Sequence, residues 1–477
     1  MVSTAILSDL LAAVGEAAVL TGADTARYNV DHRKLYEGRN RCVVRPGSTA
    51  EVAAVVRICA AHGVGMVPHG GNTSYCGGAT PDGSGAEVVI SLERMKTVRS
   101  IDTVGGTLVV DAGCTLLQVR EAAQSVGRLF PLSLGSEGTC QIGGNLSTNA
   151  GGTQVLRHGM MRELTLGLEV VLPDGRVLDQ LRQLRKDNTG YDVKQLFIGA
   201  EGTLGIITAA ALRIGPAAAD SLTALVAVDG LDATLTLLGR LRQAFGDLIE
   251  TFEYMPAGAV GLARRHFPQI PDPFGAEHPA LVLVDVPLPS ALGGLRDTFT
   301  AFLAEEMAAQ RVRDAVVAQS VAQAEAFWFL REHIPAAQTR EGASLKHDVS
   351  LPLDRLAEFE RRGLSLIETL VPGGRSIGYG HAGDGNLHFN VSPPLGVAPR
   401  SAQERAFLDR KEPLMRALHD LVAELGGSFS AEHGIGRLKV KELERYEDPV
   451  ALTLMRQIKA TLDPGGLMNP GKVLSHL

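Results

Sequence analysis

The chain has 477 residues, enough for two to four domains at ~100–200 residues each. With 45% hydrophobic and 21% charged residues it reads as an ordinary globular sequence, not a disordered one. Forty-six Lys+Arg against 53 Asp+Glu leave a net charge of −7, and no stretch is basic enough to follow a phosphate backbone, so nucleic acid is not an expected partner. Glycine stands out: 54 residues, well above the roughly 7% of average usage, which points to loops where backbone approaches something closely.

Residues 1–35 read as helices. The first 20 are amphipathic, with Asp9 and Glu16 inside the apolar pattern and no basic start of a signal peptide. No apolar run nears the ~20 residues that span a bilayer; peripheral membrane contact stays open. A short strand is expected at 41–46. Ser48 and Glu51 then open a helix as a capping box, running to about residue 61. A strand at 64–67 leads into a glycine loop at 70–78. Further strands are expected at 88–91, 107–112, 167–172 and 205–211, with a helix at 116–126, which is α/β or α+β material. The composition shifts at Gly215-Pro-Ala-Ala-Ala, and a domain boundary is placed there. Beyond it, strands at 224–228 and 280–286 alternate with helices at 235–245, 292–310 and 316–333. Residues 344–351 read as a strand, with Leu345, His347 and Val349 opposite Lys346, Asp348 and Ser350. A hairpin covers 376–391, one long helix 405–426, and a glycine/proline loop 464–472. The expected domains are 1–215, 216–425 and a C-terminal segment 426–477. Cys42, Cys59, Cys76, Cys114 and Cys140 are scattered and odd in number, which fits reduced thiols in a cytoplasm.

Three glycine segments carry most of the chemistry of the first half. Pro68-His-Gly-Gly-Asn-Thr-Ser-Tyr-Cys-Gly-Gly78 bares backbone N–H groups after a strand, a composition that suits a pyrophosphate and equally a tight surface turn. The stretch 135–152 holds six glycines interleaved with Ser, Thr and Asn, and Gly199-Ala-Glu-Gly-Thr-Leu-Gly205 leads into a strand. Together they favour a large, extended anionic cofactor. The Gly-x-Gly-x-x-Gly fingerprint of an ordinary dinucleotide fold is absent, and Gly466-Leu-Met-Asn-Pro-Gly-Lys472 is no P-loop because Val473 replaces the metal-binding hydroxyl.

In 376–391, Ile377, Tyr379 and His381 share one strand face, Gly383-Asp-Gly385 turns, and Asn386, His388 and Asn390 share one face of the returning strand. The hairpin can bring His381 and His388 side by side. With Glu432 as a third donor this matches a catalytic zinc, which keeps one position open; two hydrogen-bonded histidines remain the alternative.

The strings Pro68-His-Gly-Gly-Asn-Thr-Ser, Ile142-Gly-Gly-Asn-Leu-Ser-Thr-Asn-Ala-Gly-Gly152, Arg185-Lys-Asp-Asn-Thr-Gly-Tyr-Asp192, Gly199-Ala-Glu-Gly-Thr-Leu-Gly205, His381-Ala-Gly-Asp-Gly-Asn-Leu-His388, Ala431-Glu-His-Gly-Ile-Gly436 and Asn469-Pro-Gly-Lys472 occur in order along residues 40–475. As a set they resemble the vanillyl-alcohol oxidase/p-cresol methylhydroxylase flavoproteins, and most closely the D-2-hydroxyacid dehydrogenase branch. The resemblance implies an α+β fold: a vanillyl-alcohol-oxidase-like FAD-binding domain, a second α+β substrate and metal domain, and a helical C-terminal segment returning to the first. It implies non-covalent FAD, its diphosphate on Gly70, Gly71, Asn72 and Thr73. Gly135, Ser136, Gly138, Thr139, Gly144, Asn145, Thr148 and Gly152 would line the flavin side. Ile207 would lie near a ring edge, and Asn469 would close from the C-terminus. Pro68, His69, Ser74, Gly143, Asn149, Glu201, Gly202 and Gly205 complete the expected cradle. A divalent metal, zinc first, is implied on His381, His388 and Glu432.

The implied reaction oxidises a D-2-hydroxy acid, first choice D-2-hydroxyglutarate, to the 2-oxo acid by hydride transfer to flavin N5. His433 is the expected base, and Arg331, Lys346 and Asn390 the expected substrate ligands. Pro335 stands one turn beyond Arg331, where the hydroxyglutarate members carry a hydroxyl, and this weakens the dicarboxylate reading. D-lactate or D-malate is the near alternative. A glycolate oxidase-type flavin subunit, a metal-dependent hydrolase and a non-catalytic cofactor-binding subunit are the further ones. Electrons would leave to an electron-transfer flavoprotein, a quinone or a cytochrome. The oligomeric state is open, a homodimer being compatible with it.

Overall fold

A computed structural model describes residues 4–218, 220–288 and 293–475. The chain forms two compact units. The first takes the chain to Gly152, then Gly159–Ala217 and the segment from Glu432 on; the second takes Thr153–His158 and Ala218–Ala431.

In the first unit, β1 (Val19–Leu20), β2 (Asn40–Val44), β3 (Met66–His69) and β4 (Glu87–Ser91) form a sheet of order β1-β2-β4-β3, with β4 parallel to β2 and β3. β2 and β3 run the same way on either side of β4, so the chain must cross over between them, and the Thr49–Ala61 helix makes that crossover. Ser48 caps it by accepting from the Glu51 N–H, but the Glu51 carboxylate accepts from the Gly47 N–H, so only half of the expected capping box forms. The strand residues Val43, Val44, Val67, Val88, Val89 and Ile90 are fully buried, as parallel strands covered on both faces require.

The strands β5 (Val98–Asp102), β6 (Thr107–Asp111), β7 (Arg128–Leu129), β8 (Thr165–Val171), β9 (Val177–Gln180), β10 (Ile206–Arg213) and β11 (Gly215–Pro216) follow. Five of them make an antiparallel sheet of order β5-β6-β10-β8-β9, while β7 and β11 pair alone. One core serves both larger sheets, joining Val56 and Val88 to Val110, Val170 and Met468. The C-terminal helices Val440–Tyr446 and Pro449–Leu462 lead to a segment that docks on β3: the Met66 N–H donates to Leu467 O and the Asn469 N–H to Met66 O, both at 2.7 Å.

The second unit holds β12 (Asp220–Val228), β13 (Thr251–Pro256), β14 (Ala280–Leu288) and β15 (Asp314–Val317) in the antiparallel order β13-β14-β12-β15. Leu222, Ala224, Val226 and Val228 of β12 enter one core, and Leu225 and Ala227 enter another. That alternation is the period of two of a sheet buried on both sides. A smaller sheet, β16 (Asp348–Ser350), β17 (Arg375–Tyr379) and β18 (Asn386–Ser392), has order β16-β18-β17.

Several elements differ from expectation. The helix expected at 405–426 is two helices, Ala402–Leu408 and Lys411–Glu424. Pro413 lies four residues beyond Asp409, and a proline ring clashes with that carbonyl in a continuous helix. The helix expected from 316 begins only at Val321, capped by Ser320, because Val316 and Val317 pair with β12 as an edge strand. Of the strand expected at 344–351 only β16 is regular, and Asp348 is buried while Lys346 is exposed. Residues 1–35 hold one α-helix, Thr4–Val14, followed by 3₁₀ turns; Met1–Ser3 lie outside the described residues. The helix expected at 292–310 is Leu295–Ala308, with Leu292 outside them. The strand β13 was not anticipated. All five cysteines are buried and free, and no helix among the described residues is long and apolar enough to cross a membrane.

Candidate functional site

In the first unit the glycine loops meet one another. A Cβ on Gly71 would sit 2.2 Å from Thr139 O, so the 70–78 loop rests directly on the 135–152 loop and only glycine fits. Asn72 holds φ +54° and donates from Nδ2 to Val30 O (2.8 Å). The Gly152 position is filled by Ser133 O, 2.0 Å from where a Cβ would be. Gly143 packs on Ala112, and its N–H donates to Ala112 O (2.8 Å). By contrast, a Cβ on Gly135, Gly138 or Gly144 would meet nothing within 4 Å, and Gly70 has only ordinary contacts. These bare positions border open space. Beside Gly70, Gln141 Oε1 is buried with no hydrogen-bond partner among the described residues.

The other expected cradle residues are braced inside this unit. Ser136 O accepts from the Thr139 N–H, Thr148 donates to Gly144 O, and Asn149 Oδ1 accepts from the Arg162 N–H. Asn145 Nδ2 faces Cys140 Sγ at 3.7 Å, and Ser74 Oγ accepts from the Cys76 N–H at 3.4 Å. Glu201 (φ +50°) accepts from the Ile435 N–H (2.6 Å) and the Gly436 N–H (2.8 Å), clamping the C-terminal segment. Burial pushes Glu201 up to about 7, against the pull of those two N–H groups. Gly202 packs on Pro68 and Gly205 on Val170, and Ile207 is buried in the core. Asn469 donates from Nδ2 to Gly78 O (3.0 Å) and Glu201 O (2.8 Å). Glu432 and His433 open the C-terminal segment of this unit, with the His433 ring edge-on to Tyr75 at 4.6 Å.

His69 is buried edge-on to Tyr28 at 5.0 Å, and burial lowers its pKa to about 4. The unfolded imidazole titrates near ~6.5, so the unfolded chain takes the proton first as pH falls. The stability His69 contributes is complete above ~6.5 and is lost as pH drops through about 4, up to about 3 kcal/mol. Urea denaturation at pH 7 and pH 4.5 should show a smaller pH loss in His69→Phe than in the parent.

In the second unit the structure assembles the histidine hairpin around a residue the motifs did not reveal. Tyr379 of β17 lies opposite His388 of β18, and Asp348 of β16 opposes His388 from the other side. His381 lies just beyond β17, in the connection and not on the strand. Gly380 (φ +151°) brings it there; a Cβ on Gly380 would sit 2.8 Å from Asn386 O. The His381 and His388 rings are 5.5 Å apart. From β13, Glu253, wholly buried, reaches both partners: Oε1 is 2.5 Å from His381 Nδ1, and Oε2 accepts from Arg331 Nε at 2.6 Å. Burial makes the charge on Glu253 costly, yet the Arg331 charge and the hydrogen bonds from His381 and Arg331 hold it well below the ordinary carboxylate range. An ionised Glu253 accepts a hydrogen bond from His381 Nδ1–H, which keeps the proton on Nδ1 and leaves Nε2 as the lone-pair nitrogen, the arrangement of a metal-binding histidine.

Arg331 and Gln338 lie on the Val321–Glu341 helix, and the Arg331 guanidinium stands 4.9 Å over the Tyr379 ring. Asn390 is tied into the core: Nδ2 donates to Gln338 Oε1 (3.0 Å), and Oδ1 accepts from the His347 N–H (3.2 Å). Lys346 is exposed just before β16. The fold thus joins Arg331 to His381 through Glu253 and sets Asn390 two residues from His388 on β18. The signal for Glu253 was the run Thr251-Phe-Glu-Tyr-Met255, an acid in the centre of an apolar strand pattern.

The solved structure of p-cresol methylhydroxylase with substrate bound overlays on 99% of this chain and 97% of its own, with TM-score 0.75 and 16% identity, a likeness of fold. Residues 40–180 match the family described as FAD binding domain, and residues 218–473 the family described as FAD linked oxidases, C-terminal domain. Fold and loops therefore define a flavoprotein. The mitochondrial D-2-hydroxyglutarate dehydrogenase of Bos taurus is 40% identical over 447 residues, 94% of this chain and 79% of that one. A probable mitochondrial D-2-hydroxyglutarate dehydrogenase of Oryza sativa subsp. japonica is 36% identical over 97% of this chain and 80% of its own length. The chain belongs to the FAD-linked oxidase family, in its D-2-hydroxyglutarate dehydrogenase branch, and is an FAD-dependent dehydrogenase. The hydrolase and non-catalytic alternatives fall with that result.

Proposed function

We propose that this enzyme oxidises a D-2-hydroxy acid, first of all D-2-hydroxyglutarate, to the 2-oxo acid with the help of a divalent metal. The observation that carries the reading is the buried Glu253 bridge, which holds a carboxylate-recognising guanidinium and a metal-type imidazole on one side chain. It stands in a family whose relatives are named for D-2-hydroxyglutarate. The open positions at Gly135, Gly138 and Gly144 and the unmatched Gln141 oxygen fit a dinucleotide laid along bare peptide. His381, His388 and Glu432 are a donor set that suits zinc.

FAD, when bound, supplies a two-electron hydride acceptor at flavin N5. A divalent metal, when bound, supplies a Lewis acid that lowers the pKa of a hydroxyl. Arg331 binds a substrate carboxylate through its planar fork, Lys346 adds charge, and Asn390 orients the 2-hydroxyl end. His433 takes the hydroxyl proton on a ring nitrogen. Pro335 removes a donor one turn beyond Arg331 and favours the shorter acids D-lactate and D-malate as the second reading. An external acceptor (electron-transfer flavoprotein, quinone or cytochrome) then collects the electrons. A homodimer in a reducing compartment, cytoplasmic in first choice, completes the proposal; the two relatives named above are mitochondrial by name.

The test is anaerobic bleaching of flavin absorbance by a panel of D- and L-hydroxy acids, with and without chelator. D-2-hydroxyglutarate should bleach fastest, and chelator should stop it. His388→Ala should keep FAD yet lose metal and turnover, by more than the roughly 10–100-fold that a supporting residue costs. Full activity in that variant removes the metal from the mechanism.

A further inference from the structure

Glu253 is built into the centre of β13, wholly buried, with one carboxylate oxygen on His381 Nδ1 at 2.5 Å and the other on Arg331 Nε at 2.6 Å. Each of these neighbours is itself buried. A carboxylate in such a place is costly unless both oxygens are used, and here both are. Its central position on a strand between β14 and the Tyr254–Gly380 bridge leaves it little freedom to move. We infer that Glu253 is a positioning residue that sets the tautomer of His381 for metal binding while aiming the Arg331 fork at the substrate carboxylate. The inference rests on the metal reading above and extends it to a residue with no direct part in that ligand set.

The physical content lies in the acceptor count. A carboxylate offers an acceptor to each of two donors, Arg331 Nε–H and His381 Nδ1–H. A glutamine offers one. Arg331 cannot give up its proton, so it claims the amide oxygen, and the amide NH₂ then faces His381 Nδ1. Nδ1 is forced to accept, the proton moves to Nε2, and the nitrogen meant for the metal loses its lone pair.

The test uses FAD-loaded, metal-stripped enzyme titrated with Zn²⁺ in competition with a chromogenic chelator. Glu253→Gln should keep its flavin absorbance but bind Zn²⁺ about 10–100-fold more weakly, and KM for D-2-hydroxyglutarate should rise more than kcat falls. The double variant Glu253→Gln/Arg331→Met frees the amide to turn its oxygen to His381. Its Zn²⁺ affinity should recover to within a few-fold of the parent, although its substrate KM stays poor. A purely structural role predicts the reverse, with the double variant no better than the single one. Zn²⁺ affinity unchanged in Glu253→Gln, while His388→Ala loses Zn²⁺, overturns the inference and leaves the metal reading standing. A parent enzyme that takes up no Zn²⁺ overturns both. Should Glu253→Gln fail to fold, Glu253→Asp carries the test: it keeps the charge but draws the carboxylate back, and parental Zn²⁺ affinity there also overturns the inference.

Discussion

Gly71→Ala should yield a protein that melts lower and emerges largely without flavin. Its Cβ would lie 2.2 Å from Thr139 O and 2.8 Å from Cys140 Cα, both backbone atoms that cannot rotate away. The two loops must part, and forcing a methyl into packed backbone costs about 1–3 kcal/mol or more. Gly144→Ala is the matched control. Its Cβ meets nothing within 4 Å, and glycine within the Ile142–Ser147 helix is replaced by a better helix former. Apoprotein stability should hold or rise in that variant, while FAD binding falls because the methyl enters the space that a cofactor would fill. Thermal melts of apoprotein and flavin content on purification separate the two effects. A Gly144→Ala enzyme with full flavin content would remove that glycine from the cofactor cradle.

Arg331→Ala should be the most damaging single change in the second unit. It strips Glu253 of its cation in a wholly buried place, and breaking a buried pair on one side costs about 3–5 kcal/mol. Urea denaturation should show that loss. In catalysis the substitution should raise KM for D-2-hydroxyglutarate far more than for D-lactate. Equal effects on the two acids would confine Arg331 to holding Glu253. Arg331→Lys keeps the charge but not the planar fork. It should therefore recover part of the stability and little of the discrimination.

Much of the architecture was legible along the chain because its signals are local. The apolar strands β2, β4 and β10 and the Ser48 cap each depend on residues a few positions apart. Of the misread elements, one is broken by a local clash and another is overruled by a partner far along the chain. Pro413 divides a helix four residues upstream, and the edge pairing of Val316 and Val317 with β12 outweighs their place in a helical run. His381 and His388 could be named from a hairpin pattern, but the pattern set His381 on the strand, whereas Gly380 carries it past the strand end.

By themselves the glycine segments pointed to a large anionic cofactor, since backbone that must lie bare against such a group is written in glycine and small polar residues; the flavoprotein and its α+β fold were implied only by the resemblance that the ordered motifs carry. Which of those glycines carry packing and which border open space was decided by tertiary structure alone: Gly71 against Thr139 and Gly144 against nothing are the same letter. The same holds for Glu253. Its meaning comes from two donors 78 and 128 residues away in sequence, and a charge that distant finds its partners only when the sheet has formed around it.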